Sequence, residues 1–310
     1  MMHDVSVIVP VKNREELVSR CLDSIRNQTE KPRELIVVDN ASTDSTYRIV
    51  DEWMNANSNT GINFKLLKEE IPGACSARQK GFENAESEWV LFFDSDDAMN
   101  PDLIHSAFTT IDENEGLDLV CWKCRINQLD GTSRIPPFNP EKPLENHLIH
   151  ALLRPQGYLI KKSFLNNAGG WTKQIAVWND FELGLRILLQ NPEIKGIPKV
   201  LAEIYSQEES ITGKDFSSKE GKWETTLREM EKEISNSSYP ERKRLLRIID
   251  YRKVILAAHY FKEGNEEGAS KLLNNALKDK TIREKLPLLF SYHYTRKGLR
   301  GVWRLVRHII

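Results

Sequence analysis

The chain has 310 residues, of which 40% are hydrophobic and 29% charged, and its formal net charge is −1. That length suits one large domain plus a smaller one, and the balanced charge gives no global field for nucleic acid. Four cysteines are too few for a disulfide framework, the start Met1-Met2-His3-Asp4 does not read as a signal peptide, and no stretch approaches the roughly 20 apolar residues of a membrane span, so a reducing, cytoplasmic setting is expected.

The first 127 residues alternate between two patterns. Val5 to Pro10 reads as a buried strand, and Arg14 to Gln28 as a helix with Leu17, Val18, Cys21, Leu22 and Ile25 on one face. Glu34 to Asp39 is a second strand. The polar turn Asn40 to Asp44 follows, with Asp44 capping a helix to about Asn55. Phe64 to Lys68 is a short strand, Gly73 to Ala85 a helix, and Trp89 to Asp94 a fourth strand. Pro101 opens another helix, and Asp118 to Asn127 is a fifth strand ended by Asp130-Gly131. Continuous apolar strands alternating with helices predict an α/β fold: an open, mostly parallel sheet covered on both faces. In such sheets ligands sit beyond the carboxyl ends of the strands. Two strands end directly in a carboxylate, Asp39 and Asp94, which places both acids in one crevice.

From Gln128 to Pro155 the pattern is irregular and proline-rich. His147 and His150 in this stretch could bind an acceptor, but read first as solvated loop histidines. Gly157 to Trp171 reads as strand, turn and a Gly-Gly break, Phe181 to Gln190 as helix, and Ile197 to Ser206 as a last strand. After Thr212 the composition turns helical and charged, so a domain of residues 1–214 and a helical region of residues 215–310 are expected.

The strongest local feature is Phe92-Phe93-Asp94-Ser95-Asp96-Asp97. Three carboxylates crowd within four positions just past a buried strand. Unpaired, they would repel and their pKa values would rise. A hard divalent cation, Mg²⁺ or Mn²⁺, resolves that conflict by sharing one or two carboxylates with substrate phosphates. The turn after the first strand, Val11 to Glu15, holds no glycine, so the dinucleotide fingerprint is absent, and no Walker loop occurs. An Asp-x-Asp pair also occurs in aspartyl-phosphate hydrolases, but those resemble Asp-x-Asp-x-Thr/Val, and here the last position is Ala98. A metal-dependent phosphohydrolase or nucleotidyltransferase, and a non-catalytic nucleotide-sugar binding module, stand as alternative readings. Cys121-Trp122-Lys123-Cys124 has the spacing of half a zinc site but lacks a second pair, so packing on a strand is the expectation.

Five ordered segments, Val5 to Asn13, Glu34 to Thr46, Gly73 to Gly81, Asp94 to Asp97 and Trp178 to Leu183, resemble the family 2 glycosyltransferases of the GT-A fold over about residues 5 to 210. Each segment alone is weak, and five in order are highly specific. Gln79 stands where the family usually has Asn, and Asn179 where it usually has Glu. The resemblance implies a nucleotide-sugar donor, UDP foremost, and a glycan or lipid-linked acceptor. It implies that Asp39 contacts the nucleotide base with Pro10 lining the same pocket. Arg78, Asp94 and Ser95 would also bind the donor, Asp96 would ligate the metal, and Asp180 would be the general base of an inverting transfer. From the residues alone, Asp180 also reads as a helix N-cap, Asp39 as a turn-opening acid, and Arg78 as a surface residue paired with Glu70 or Glu83.

The tail is basic. After Glu284 it has no acidic residue, and from Leu299 on, apolar Leu299, Val302, Trp303, Val306 and Ile310 share one helical face while Arg300, Arg304 and Arg307 share another. Residues 296–310 therefore point to peripheral contact with an anionic membrane, or to a helix that packs on protein.

Overall fold

The computed structural model describes residues 3–207, 216–219, 221–299 and 301–307. An alternating run opens the chain: β1 (Val5–Val11), α1 (Val18–Arg26), β2 (Glu34–Asp39), α2 (Thr46–Ala56), β3 (Asn63–Lys68), α3 (Ala74–Glu83) and β4 (Trp89–Phe92). There follow β5 (Ala98–Met99), α4 (Leu103–Asp112), β6 (Leu119–Asn127), β7 (Ser133–Arg134) and α5 (Pro143–His150). A 3₁₀ turn at Pro155–Gly157 leads into β8 (Tyr158–Lys161), α6 (Lys162–Asn167), α7 (Asn179–Leu189) and β9 (Ile194–Tyr205).

The strands form one sheet in the order β3-β2-β1-β4-β8-β6-β9-β5, with β7 paired to β6. The sheet is parallel from β3 through β4, as continuous burial of β1 and β2 requires. The other half is mixed. β8 runs antiparallel to both β4 and β6, while β6 and β9 are parallel. Helix α3 lies close against β1 and β2 because Gly81 has no side chain. A Cβ there would stand 2.4 Å from Ile8 and 3.2 Å from Val38.

Several expected boundaries shift for local reasons. The first helix starts at Val18 and not at Arg14. Residues 13–15 are tied instead to the next loop: Arg14 N–H donates to Thr46 Oγ1, Glu15 N–H to Asp44, and Ser45 N–H to the Glu15 carboxylate. The fourth strand stops at Phe92, so Asp94 lies just beyond it. The irregular stretch contains helix α5, and His147 on it is buried, which corrects the expectation of a solvated loop histidine. Cys121 and Cys124 are both buried on β6, and all four cysteines are free and buried.

The chain divides into two units, Met1–Asn146 with His150–Glu208, and His147–Ile149 with Glu209–Ile310. The expected boundary at residues 214–215 lies outside the described residues. The second unit holds α8 (Lys222–Asn236), α9 (Arg242–Lys262), α10 (Glu266–Leu277), α11 (Ile282–Arg296) and α12 (Trp303–Val306). Its core includes Trp223, Met230, Ile249, Val254 and Tyr260. Asn265 caps α10 by accepting from Gly268 N–H at 2.8 Å. The tail makes only the four-residue α12, and Val302 and Trp303 are buried, with Trp303 edge-on to Tyr251 at 5.4 Å. Val302 and Trp303 thus pack on protein, while Leu299 is 49% exposed. Arg300 and residues 308–310 lie outside the described residues. No helix among the described residues is long and apolar enough to cross a membrane.

Candidate functional site

The carboxyl ends of the parallel strands β1, β2 and β4 lie along one edge of the sheet, where hydrogen bonds tie the loops that follow them together. Asn13, with φ 49°, accepts from Thr43 N–H at 2.8 Å, and its own N–H donates to Ser42 Oγ. Buried Asn40 gives both side-chain amide hydrogens to the carbonyls of Glu69 and Ile71 and accepts from Gly73 N–H at 2.7 Å. That one side chain therefore sets the exit of β3 and the start of α3. Asp39, the last residue of β2, is buried. Its Oδ2 accepts from Ser42 N–H at 3.2 Å, as a turn-opening acid would, but its Oδ1 is buried with no hydrogen-bond partner. A buried carboxylate oxygen without a donor is costly; a base N–H supplied by a ligand would satisfy it. Pro10 is buried in β1, beside Val38 of β2.

Arg78 is buried on α3, so it is not the surface residue paired with Glu70 or Glu83 that the sequence also allowed. Its Nη2 donates to Asp94 Oδ1 at 2.6 Å, its Nη1 to Asn179 Oδ1 at 3.4 Å, and its guanidinium lies 4.7 Å from the Trp171 ring centroid. Its Nε is buried and unpartnered. Gln79, standing where Asn is usual, accepts from Trp171 N–H at 2.9 Å. Gly170 beside it has φ +62°, and a Cβ there would reach 2.5 Å from Gln79 Oε1.

The acidic loop is not three equivalent carboxylates. Asp94 is held on both oxygens, by Arg78 and by Gln156 Nε2 at 2.6 Å. Asp97 is buried. It accepts from Tyr205 N–H at 2.9 Å and from the second amide hydrogen of Gln156. It does not cap the following helix, whose N-cap is Asp102; it fastens the loop to β9. Asp96, with 20% of its side chain exposed, meets the Arg14 guanidinium at 3.5 Å. The Asp96 carbonyl accepts from Arg20, which stacks on Tyr205 at 4.0 Å. Ser95 between them is buried. Burial, and then the charge of Asp94, push the carboxyls of both Asp96 and Asp97 above their ordinary values. The repulsion expected from the sequence is therefore present, but protein donors already answer it at Asp94 and Asp97.

That division bears on the metal. No cluster of three or more His, Cys, Asp or Glu suited to a cation occurs among the described residues. What the loop offers is one carboxylate, Asp96, partly exposed and disfavoured as an anion by burial. This fits a divalent ion that takes a single protein carboxylate and completes its shell with water and substrate phosphate.

Asp180 lies in the first turn of α7, two residues past the N-cap Trp178, which itself adopts a left-handed φ of 51° and makes no side-chain cap bond. Asp180 is therefore not the N-cap that the sequence also allowed. Burial raises its pKa, the guanidinium charges of Arg78 and Arg154 pull it back, and Asp94 pushes it up again. The acid thus feels the same Arg78–Asp94 pair that ends β4.

The family model for glycosyl transferase family 2 matches residues 6–166, just over half of the chain. The chain belongs to this family. A poly(ribitol-phosphate) beta-glucosyltransferase of Bacillus spizizenii is 32% identical over 165 residues, 52% of this chain and 25% of that relative. Residues 1–349 of Staphylococcus aureus TarS, solved in complex with UDP-GlcNAc, superpose with a TM-score of 0.71 at 21% identity, covering 98% of this chain and 92% of that one. A Pyrobaculum calidifontis mannosyltransferase solved with GDP-Man and Mn²⁺ gives a TM-score of 0.59 at 20% identity over 98% of this chain and 83% of that one. These likenesses place the fold as GT-A. The chain spans less than half the length of several curated relatives that it matches.

Residues that the motifs do not mark also build the candidate site. Gln156 holds Asp94 and Asp97, the charge of Arg154 acts on Asp180, Arg14 meets Asp96, and Trp171 covers Arg78. Gln156 and Arg154 lie in or beside the proline-rich segment with no periodicity to single them out. Arg14 sits in a turn marked only by its lack of glycine.

Proposed function

We propose that the chain is an inverting, metal-dependent glycosyltransferase that moves a sugar from a nucleotide-sugar donor, UDP-linked first, to a hydroxyl of a glycan or lipid-linked acceptor. The observation that carries this reading is the contact of Arg78 with both Asp94 and Asn179, which ties the donor-side loop to the turn bearing Asp180. The UDP-GlcNAc and poly(ribitol-phosphate) named for relatives support the donor and the acceptor class.

In this account Asp39 and Pro10 receive the base, and the unpartnered Asp39 Oδ1 accepts its N–H. Arg78, Asp94 and Ser95 hold the nucleotide and sugar. Mn²⁺ or Mg²⁺ at Asp96 would supply neutralising charge to the diphosphate. Asp180 takes the proton of the acceptor hydroxyl as its oxygen bonds to the anomeric carbon. The carbon–oxygen bond to the diphosphate breaks with its electron pair leaving on phosphate, and a single displacement inverts the configuration. The raised pKa of Asp180 suits a base, because a stronger base accepts the proton further along.

Asp180→Asn tests the assignment. Donor affinity should stay near wild type, and kcat should fall by about 10²–10⁴, the usual worth of a positioned base. Transfer at the wild-type rate would remove Asp180 from the mechanism.

A further inference from the structure

We propose that α11 is a docking face for an anionic lipid surface, through an apolar stripe that the second unit leaves uncovered. Ile282, Leu286 and Phe290 are 77%, 61% and 48% exposed. They fall at intervals of four residues and so line one side of the helix. The opposite side carries Pro287, Leu288, Ser291 and Tyr292, all buried. α11 is therefore apolar on two sides, one inward and one facing solvent.

The charges decide which partner suits the outer side. At 3.6 residues per turn, Lys285 and Arg296 border the stripe on one flank and Arg283 on the other, with Lys297 at its end. Arg283, Lys285 and Lys297 form no ion pair among the described residues, while the Arg296 guanidinium lies 3.6 Å from the Phe261 ring centroid. Glu284 is turned away, closing the N-terminal capping box with Thr281 and meeting Arg247 at 3.5 Å. An apolar stripe edged by cations is the arrangement that enters the headgroup boundary of an anionic bilayer. A second copy is the less suitable occupant. In a two-fold pairing each patch meets itself, so the basic borders would face like charges, and lysine is depleted at interface cores. The sequence placed such a face on residues 296–310; there Val302 and Trp303 turn inward while Leu299 stays half exposed, and the longer uncovered stripe lies one helix earlier. This inference does not depend on the chemistry proposed for Asp180.

The test is co-sedimentation of the full chain with vesicles of phosphatidylglycerol and phosphatidylcholine, against vesicles of phosphatidylcholine alone. Wild type should pellet with the anionic vesicles and not with the neutral ones. Leu286→Glu/Phe290→Glu should cut the bound fraction by about tenfold or more, and Lys285→Glu/Lys297→Glu should weaken binding chiefly at low salt. The residues of the first pair are exposed, so its melting temperature should match wild type. The proposal is overturned if wild type ignores anionic vesicles or if Leu286→Glu/Phe290→Glu pellets like wild type. It is also overturned if ultracentrifugation shows a wild-type dimer that this variant dissolves while vesicle binding is unchanged, which would make the stripe a contact between copies.

Discussion

Gln156→Leu should destabilise the catalytic unit through two stranded carboxylates. The Gln156 side-chain amide is buried and gives one hydrogen to Asp94 and one to Asp97. Leucine has similar bulk and neither donor. A hydrogen bond to a charged group contributes about 1.5–3 kcal/mol net, and a buried acceptor left alone carries the full desolvation cost. Asp97 keeps only the Tyr205 N–H on its other oxygen. Asp94 retains Arg78 and is 30% exposed, so water replaces part of its lost bond. The sum is about 2–4 kcal/mol. At about 2–4 °C per kcal/mol for a unit of this size, the first thermal transition should fall by about 4–16 °C. Scanning calorimetry of the full chain reads this directly. Adding Asp97→Asn removes the charge that the introduced leucine strands, so the double variant should recover part of the loss. A shift below about 2 °C for the single variant, or no coupling between the two changes, would refute the bridging role.

Two further outcomes concern pH. Burial raises the Asp180 pKa and the charge of Arg154 opposes that rise, so Arg154→Met should move the acid limb of kcat/KM to higher pH; a limb that stays in place or moves lower would contradict that charge effect. Burial also pushes Glu34 up, but hydrogen bonds from Lys65, Ser6 and the Glu86 backbone outweigh it and leave its pKa below the ordinary 4.5. A lowered folded pKa gives stability that is present above 4.5 and is lost as pH falls through the folded value. Denaturant midpoints of wild type and Glu34→Gln should therefore differ at neutral pH and converge in acid.

The parallel half of the sheet was legible because β1, β2 and β4 are continuous apolar runs between helices with clear faces. The other half was not, since strand direction at β8 depends on a partner, β6, that lies outside its own segment. Local composition misled at α5, where a short helix sits among prolines, and it could not show what holds Asp97, whose partners Tyr205 and Gln156 come from a distant strand and turn. Motif order singled out Asp39, Arg78, Asp94, Asp96 and Asp180 as candidates, but not which carboxylates the protein itself satisfies. The tail shows the limit of periodicity: an apolar face can be read from spacing, while whether protein covers it cannot. Val302 and Trp303 are covered, and Ile282, Leu286 and Phe290 are not.

The central claim is that the crevice between Asp39 and the Asp94–Asp97 loop takes a metal-bound nucleotide diphosphate. Thermal shifts with a panel of nucleotide sugars, with and without Mn²⁺, test it most directly. At about 100 times its Kd, a donor that binds only the folded chain adds about 2.7 kcal/mol of stability. A UDP-sugar should raise the melting temperature in the presence of Mn²⁺, and Asp96→Asn should reduce that rise. Melting unchanged by every UDP-sugar, with or without the metal, would contradict the assignment.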